Sequence, residues 1–238
     1  MTPVRRVRVI GPGRAGGALQ RALASVGWET LEPLGRGDTL TDAAAGVELL
    51  VIATPDAAIA EVAASVGPAE GAVVAHLAGS LGLEVLAGHP RPAALHPLVS
   101  LPSPEVGSAR LVDGAWFAVA GDPLVTRVVD DLGGRSFTVA DPDRAGYHAA
   151  ACVAANHLVA LMGQVARLAR TVDVPFEAYL DLARATLDNV AELGPAAALT
   201  GPAARGDQRT IDRHLATIAP DERVLYETLV DAARRLVQ

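Results

Sequence analysis

Arg8-Val9-Ile10-Gly11-Pro12-Gly13-Arg14-Ala15-Gly16 decides the fold of this chain. A β-branched run enters a glycine turn, and residues 15–26 behind it carry apolar positions at helical spacing. G-x-G-x-x-G alone is a weak signal; between a strand and a helix it is a dinucleotide fingerprint. In that setting Gly11 permits the tight turn, Gly13 lets the backbone approach a pyrophosphate, and Gly16 lets the helix pack on the strand. Arg14, in the turn, is placed to help bind a 2′-phosphate, and Ala15 opens the helix, whose first N–H groups and positive dipole end suit phosphate. The competing reading is a domain that kept the turn and lost the ligand.

Working outward, residues 48–53 (ELLVIA) form a short apolar run bounded by turn signals, a buried strand. Further strands are expected at 28–34, 72–77, 92–96, 115–120 and 136–139. Helices are expected at 56–66, with Asp56 as N-cap after Pro55, and at 124–132. Strands alternating with helices imply a parallel sheet covered on both faces, an α/β class. The texture changes at Asp141-Pro142-Asp143, where Pro142 stops a strand and Asp143 is placed to cap a helix. Beyond it only helices are expected, at 146–166, 176–193, 210–216 and 221–237. The chain therefore divides into a dinucleotide-binding domain, 1–141, and an all-α domain, 142–238.

Residues 146–166 carry no charge and are long enough to cross a membrane. They also hold His148, Asn156, His157 and Gln164, so the expectation is the buried centre of a helical domain or dimer.

Composition excludes several chemistries. The 238 residues carry net charge −7, which disfavours nucleic acid or an anionic membrane as partner. Every basic residue is arginine, so Schiff-base lysine, Walker lysine and a lysine acid are all excluded. The single Cys152 rules out an internal disulfide and a cysteine zinc cluster, and no metal site is expected. The start, MTPVRRVRVIGPG, has too short an apolar run for a signal peptide, so the expected compartment is the cytoplasm.

Ligand-binding residues follow from strand ends, because an open α/β sheet binds ligands at its carboxyl edge. Thr54, Pro55 and Asp56 should run along the cofactor, and Ala78 and Gly79 near its nicotinamide. Ser80 has the chemistry to bond a substrate carboxylate or carbonyl, or is an ordinary turn serine. Glu32 is spaced to read a ribose but precedes Pro33; Arg36 at the strand end favours a 2′-phosphate, and hence NADP(H) over NAD(H), unless it is a solvated loop residue.

Six stretches occur in order: GPGRAG, ATPDAAI (53–59), HLAGSLGLEVL (76–86), LHPLVSLP (95–102), YHAAACVAANHLVAL (147–161) and LGPAAALTGPAARGD (193–207). Together they resemble the Rossmann-like family with a DUF2520 C-terminal domain. The N-terminal part also resembles the F420-dependent NADP oxidoreductase type. The wider group is the β-hydroxyacid and 6-phosphogluconate dehydrogenase superfamily. The resemblance implies a Rossmann domain before an all-α domain, a homodimer through the α part, and hydride transfer. Some members are similar to an alternative ketopantoate reductase of coenzyme A biosynthesis.

That superfamily places a catalytic lysine four residues before an asparagine on the first long α-domain helix. The asparagine corresponds to Asn156 and the lysine position to Cys152. His148, Cys152 and Asn156 recur at spacings of four and should share a helix face. Asn156 is then expected to hold a carbonyl oxygen and His148 to give the proton, with His96 a second candidate acid. Each histidine also has a purely structural reading, and Asn156 one as helix–helix glue. Thr200 and Arg205 are expected to bind an anionic substrate across a dimer, and Asp207 to cap a helix; a surface ion pair is the other reading of Arg205. Three functions stay open: an NADPH-dependent reductase of a small 2-oxo acid, led by ketopantoate; a pyrroline-carboxylate-type imine reductase; and a non-catalytic NADP-binding regulatory protein.

Overall fold

A computed structural model describes residues 5–237. The first four residues of the MTPVRRVRVIGPG start lie outside the described residues. The chain forms two compact units that divide between Ala155 and Asn156.

The first unit is built on a seven-stranded sheet of order β2-β1-β3-β4-β5-β6-β7. The strands are β1 Arg6–Ile10, β2 Glu29–Thr30, β3 Leu49–Ile52, β4 Val73–His76, β5 Pro92–Pro97, β6 Trp116–Gly121 and β7 Arg135–Thr138. Every residue of β3 and β4 is buried, as a strand covered on both faces requires. The side-chain alternation sends Leu49 and Val51 into one core with Val7, Val9, Leu19, Leu23 and Phe117. Leu50 and Ile52 enter the other core, with Ile10, Ile59 and Leu86. Helix α1 (Arg14–Ser25) buries Ala18, Leu19, Ala22 and Leu23, the helical spacing seen in the sequence.

Four expectations about this unit need correction. The sheet is not wholly parallel: β6 runs antiparallel to β5, and β7 parallel to β6. The strand expected at 28–34 shrinks to two residues plus a bridge from Leu34 to Ile10, because Pro33 has no N–H to give the ladder. Asp56 is not a cap; it is the first residue of α2 (Asp56–Ser65), after Pro55. Asp143 makes no capping bond to α5 (Arg144–Cys152), since it already has helical backbone angles inside a 3-10 turn, Asp141–Asp143. Helices α3 (Pro104–Leu111) and α4 (Leu124–Asp131) complete this unit, α3 unanticipated in the sequence. Helix α5 stays with the sheet because its side chains pack on the strand ends.

The second unit contains α6 (Leu158–Thr171), α7 (Phe176–Leu193), α8 (Pro195–Ala198), α9 (Gln208–Thr217) and α10 (Pro220–Arg235). Asp207 caps α9 as expected, accepting from the Thr210 N–H at 3.1 Å. Gln164 donates to the Glu222 carboxylate at 3.0 Å, and Arg167 pairs with the same group. Residues 146–166 are not a buried centre within the single chain. Val153 is 57% and Val159 73% exposed, because these helices bring too few apolar partners to surround them. Among the described residues one helical run, Asp141–Thr171, is long and apolar enough to cross a membrane.

Candidate active site

The sheet order reverses beside β1, which has β2 on one side and β3 on the other. The carboxyl ends of β1 and β3 therefore open a crevice at a topological switch point. The glycine turn fills one side of it. Gly11 has φ +89°, and a Cβ there would stand 2.9 Å from the Ala53 carbonyl oxygen, so both backbone and space demand glycine. A Cβ on Gly16 would collide with the Gly11 carbonyl and stand 2.8 Å from Ala53 Cβ and 2.9 Å from Val9 Cγ1. Gly13 differs: nothing lies within 4 Å of the place a Cβ would take. It precedes α1, whose first N–H groups, from Arg14 to Gly16, have no intrahelical acceptor.

A cleft of about 580 Å³ runs past Gly11, Gly13, Arg36, Thr54 and Pro55. Arg14 and Arg36 are exposed and in no ion pair among the described residues. The nearby Asp38 carboxylate is turned onto its own loop, accepting from the Gly35 N–H at 2.7 Å. The buried Thr54 Oγ1 has no partner. An open glycine backbone, free N–H donors, an orphaned hydroxyl and two free arginines fit a phosphorylated dinucleotide.

The ends of β4 and β5 carry the polar groups. His76 is fully buried; its Nδ1 accepts from the Ala78 N–H at 3.2 Å and its Nε2 lies 3.2 Å from the Gly82 carbonyl. These bonds shape the loop through Ala78, Gly79 and Ser80, and burial lowers the His76 pKa. Ser80 Oγ donates to the Asp56 carboxylate at 2.9 Å, tying that loop to α2. His96 Nδ1 lies 2.6 Å from the Tyr147 hydroxyl. The His148 ring meets His96 edge-on, with centroids 5.7 Å apart. Above Gly79 the two rings converge: a Cβ there would be 2.5 Å from His148 Nδ1 and 2.9 Å from His96 Nε2.

Burial, then the neighbouring His148 and Arg144 charges, push the His96 pKa down to about 4. Burial thus favours the neutral imidazole of His96 at physiological pH. Burial pushes the Tyr147 pKa up, so its phenol keeps its proton. His148 Nδ1 is buried without a partner, and its Nε2 lies 3.6 Å from Cys152 Sγ.

The glycine turn, Arg36, Thr54 and Pro55 thus share one cleft, and His96, His148 and Gly79 share one cluster. Asn156, Thr200 and Arg205 belong to the second unit, where each is exposed. Asn156 sits in a π-turn, Val153–His157, so the α-helical register linking His148 to Cys152 ends before it. Such turns recur at functional sites. Three residues escaped the sequence reading: His76, Tyr147 and Arg144. The spacing of 144, 147 and 148 (i, i+3, i+4) was the available signal, since it puts all three on the helix face that carries His148.

Comparison with known proteins agrees with this geometry. Residues 33–100 match a Rossmann-like domain, and residues 116–233 the domain of unknown function DUF2520. The second match begins in β6, so it includes the last strands of the sheet. No curated protein matches the sequence. Among solved structures, a Bacteroides fragilis protein assigned as an NADP oxidoreductase is 23% identical, with TM-score 0.82 and 98% of each chain covered. A reductive aminase from Aspergillus terreus is 16% identical, with TM-score 0.71, covering 98% of this chain and 94% of that one. A 1-pyrroline-5-carboxylate reductase from Streptococcus pyogenes is 14% identical, with TM-score 0.65, covering 98% and 99%. At these identities the likeness is one of fold.

Proposed function

We propose that this chain, with its DUF2520 match behind a Rossmann-like one, is an NADPH-dependent reductase of a small 2-oxo acid. Ketopantoate is the leading substrate, by the family resemblance. The observation that carries this reading is the convergence of His96 and His148 over Gly79, with Tyr147 bonded to the other ring nitrogen of His96, at the carboxyl edge of the sheet that holds the glycine turn. Gly11, Gly13, Gly16 and the start of α1 would hold the cofactor's pyrophosphate. Arg36, with help from Arg14, would take a 2′-phosphate, while the Asp38 carboxylate at that turn accepts from the Gly35 N–H. Bound there, the reduced nicotinamide supplies the hydride that carbonyl reduction requires.

The chain must supply the proton, and it has no lysine to do so. Tyr147 holds a proton on its phenol oxygen, and neutral His96, with one N–H and one free nitrogen, is suited to pass a proton between Tyr147 and the Gly79 side. His148, kept from the sequence analysis, is the alternative donor. Ser80 orients the substrate and in turn is oriented by Asp56. Asn156, Thr200 and Arg205 retain substrate-binding roles on the strength of the sequence.

A homodimer through the helical unit would cover Val159, Leu182 and Val224, which are 73%, 62% and 71% exposed in the single chain. The same assembly accounts for residues 146–166 without a membrane, and the compartment is the cytoplasm. A second reading has its own support. An imine arrives already protonated and needs no enzyme acid, which suits a site with no lysine and a neutral His96.

The test is a fluorescence titration with NADPH and NADH, followed by ketopantoate. Preferred NADPH binding, then consumption of the signal, is the expected result. Binding with consumption only by cyclic imines selects imine reduction. Binding without consumption by any carbonyl or imine selects a non-catalytic role, and no binding overturns the cofactor site.

A further inference from the structure

Arg144 is the largest fully buried side chain among the described residues, at 0% exposure. A guanidinium has five N–H donors. Here only Nε is used, donating to Asp141 Oδ1 at 3.1 Å. Both terminal amino groups, NH1 and NH2, are buried without any partner. Burying charged donors unpaired is among the costlier defects a fold can carry. Asp141 does not relieve it: that carboxylate is 47% exposed, and its other oxygen accepts from the Leu83 N–H at 3.3 Å.

The side chain lies close to the histidine cluster. Arg144 lies one helical turn before Tyr147 and His148, on their face of α5. Tyr147 bonds His96, and His148 closes on Gly79. The Arg144 partner, Asp141, presses on Gly82, with its Oδ2 2.8 Å from the place a Cβ would take. The guanidinium is thus tethered beside the 78–83 loop, next to the histidine cluster, and its charge is felt by both His76 and His96. With Nε taken, the free edge is the NH1–NH2 end, a fork that matches the two oxygens of one carboxylate.

We propose that Arg144 is the carboxylate-binding residue of this site, which makes the substrate an anion whose carboxylate adjoins the reducible group. This rests on the reductase reading and deepens it. A cofactor phosphate is the other anion to consider, but the glycine turn lies at β1, two and three strands from the ends of β4 and β5. At the usual strand spacing that is roughly 10–14 Å. Arg205, assigned this task from sequence, is exposed in the second unit.

The experiment is calorimetric titration of the full-length protein with oxamate, with and without NADP⁺, on the wild type, Arg144→Gln and Arg144→Lys. Oxamate carries a carboxylate beside an unreactive carbonyl, so binding is read without turnover. Methyl oxamate, the neutral ester, repeats the test on the unmutated protein. NADPH affinity of each variant reports whether its fold is intact. Losing a bidentate charged contact should weaken oxamate binding roughly 10- to 100-fold in Arg144→Gln. Arg144→Lys keeps the charge without the fork and should fall between, and methyl oxamate should bind the wild type as poorly as oxamate binds Arg144→Gln. NADPH affinity should be unchanged throughout. Equal oxamate affinity in the three proteins overturns the proposal, as does equal binding of the ester. A loss of NADPH affinity with oxamate binding intact makes Arg144 a cofactor residue and overturns it too. Wild type that binds no NADPH defeats the reductase reading itself, a different outcome from any of these.

Discussion

Gly13 and Gly16 stand three residues apart in one turn, yet alanine should act on them in opposite ways. At Gly16 the new Cβ meets the Gly11 carbonyl, Ala53 Cβ and Val9 Cγ1. All three belong to the β1 and β3 strand ends or the turn between strand and helix, so none can rotate away. Overpacking of this kind costs about 3 kcal/mol, which for a chain of this size lowers Tm by roughly 6–12 °C. At Gly13 the Cβ meets nothing within 4 Å, and φ is −75°, ordinary for an L-residue. Folding stability should then change by less than about 1 kcal/mol, and in the favourable direction if at all. The added methyl stands instead where the pyrophosphate must approach. Loss of one backbone contact to a charged group is worth about 1.5–3 kcal/mol, or roughly 10- to 100-fold in NADPH affinity. Thermal melts without ligand, beside fluorescence titrations with NADPH, separate the two effects. An unaltered NADPH affinity in Gly13→Ala would refute the phosphate assignment. An unaltered Tm in Gly16→Ala would refute the packing argument.

Replacing Arg36 by Ala should weaken NADPH roughly 10- to 100-fold and leave NADH nearly unchanged, as a lost 2′-phosphate contact requires; equal loss for both nucleotides would remove Arg36 as selector. Tyr147→Phe should cut turnover about 100-fold or more with NADPH affinity intact, read by steady-state kinetics, and undiminished turnover would leave His148 as the donor. For His96 the folded pKa of about 4 lies below its ordinary 6.5. The unfolded chain then binds more protons between those values, so stability is full above pH 6.5 and is lost as pH falls through about 4. The gap between these two values bounds the loss at about 3 kcal/mol. Melts across pH 4–7 should show this slope, and His96→Asn should flatten it; an unchanged slope would contradict a buried neutral His96. Finally, light scattering should give twice the chain mass, with Leu182→Glu shifting it toward one; a monomeric wild type would remove the dimer.

Much of the first unit was legible because its signals are local. The glycine turn needs only neighbours within six residues, and LLVI and VVAH declare buried strands by composition alone. The same holds for Asp207, whose capping bond spans three residues. What tertiary structure decided is every pairing that depends on sheet order. Nothing near Tyr147 announces His96, 51 residues earlier, or near Ser80 that its hydroxyl serves Asp56. The direction of β6 could not be read either, since a buried apolar strand looks alike in both orientations. Arg144 is the sharpest case. In sequence it is one more arginine after a proline turn, among twenty basic residues. Only packing of α5 on the strand ends takes its charge out of water and leaves its donors unpaired. Composition, conversely, could not say what buries residues 146–166: an apolar helix asks for partners, and in the single chain Val153 and Val159 stay exposed.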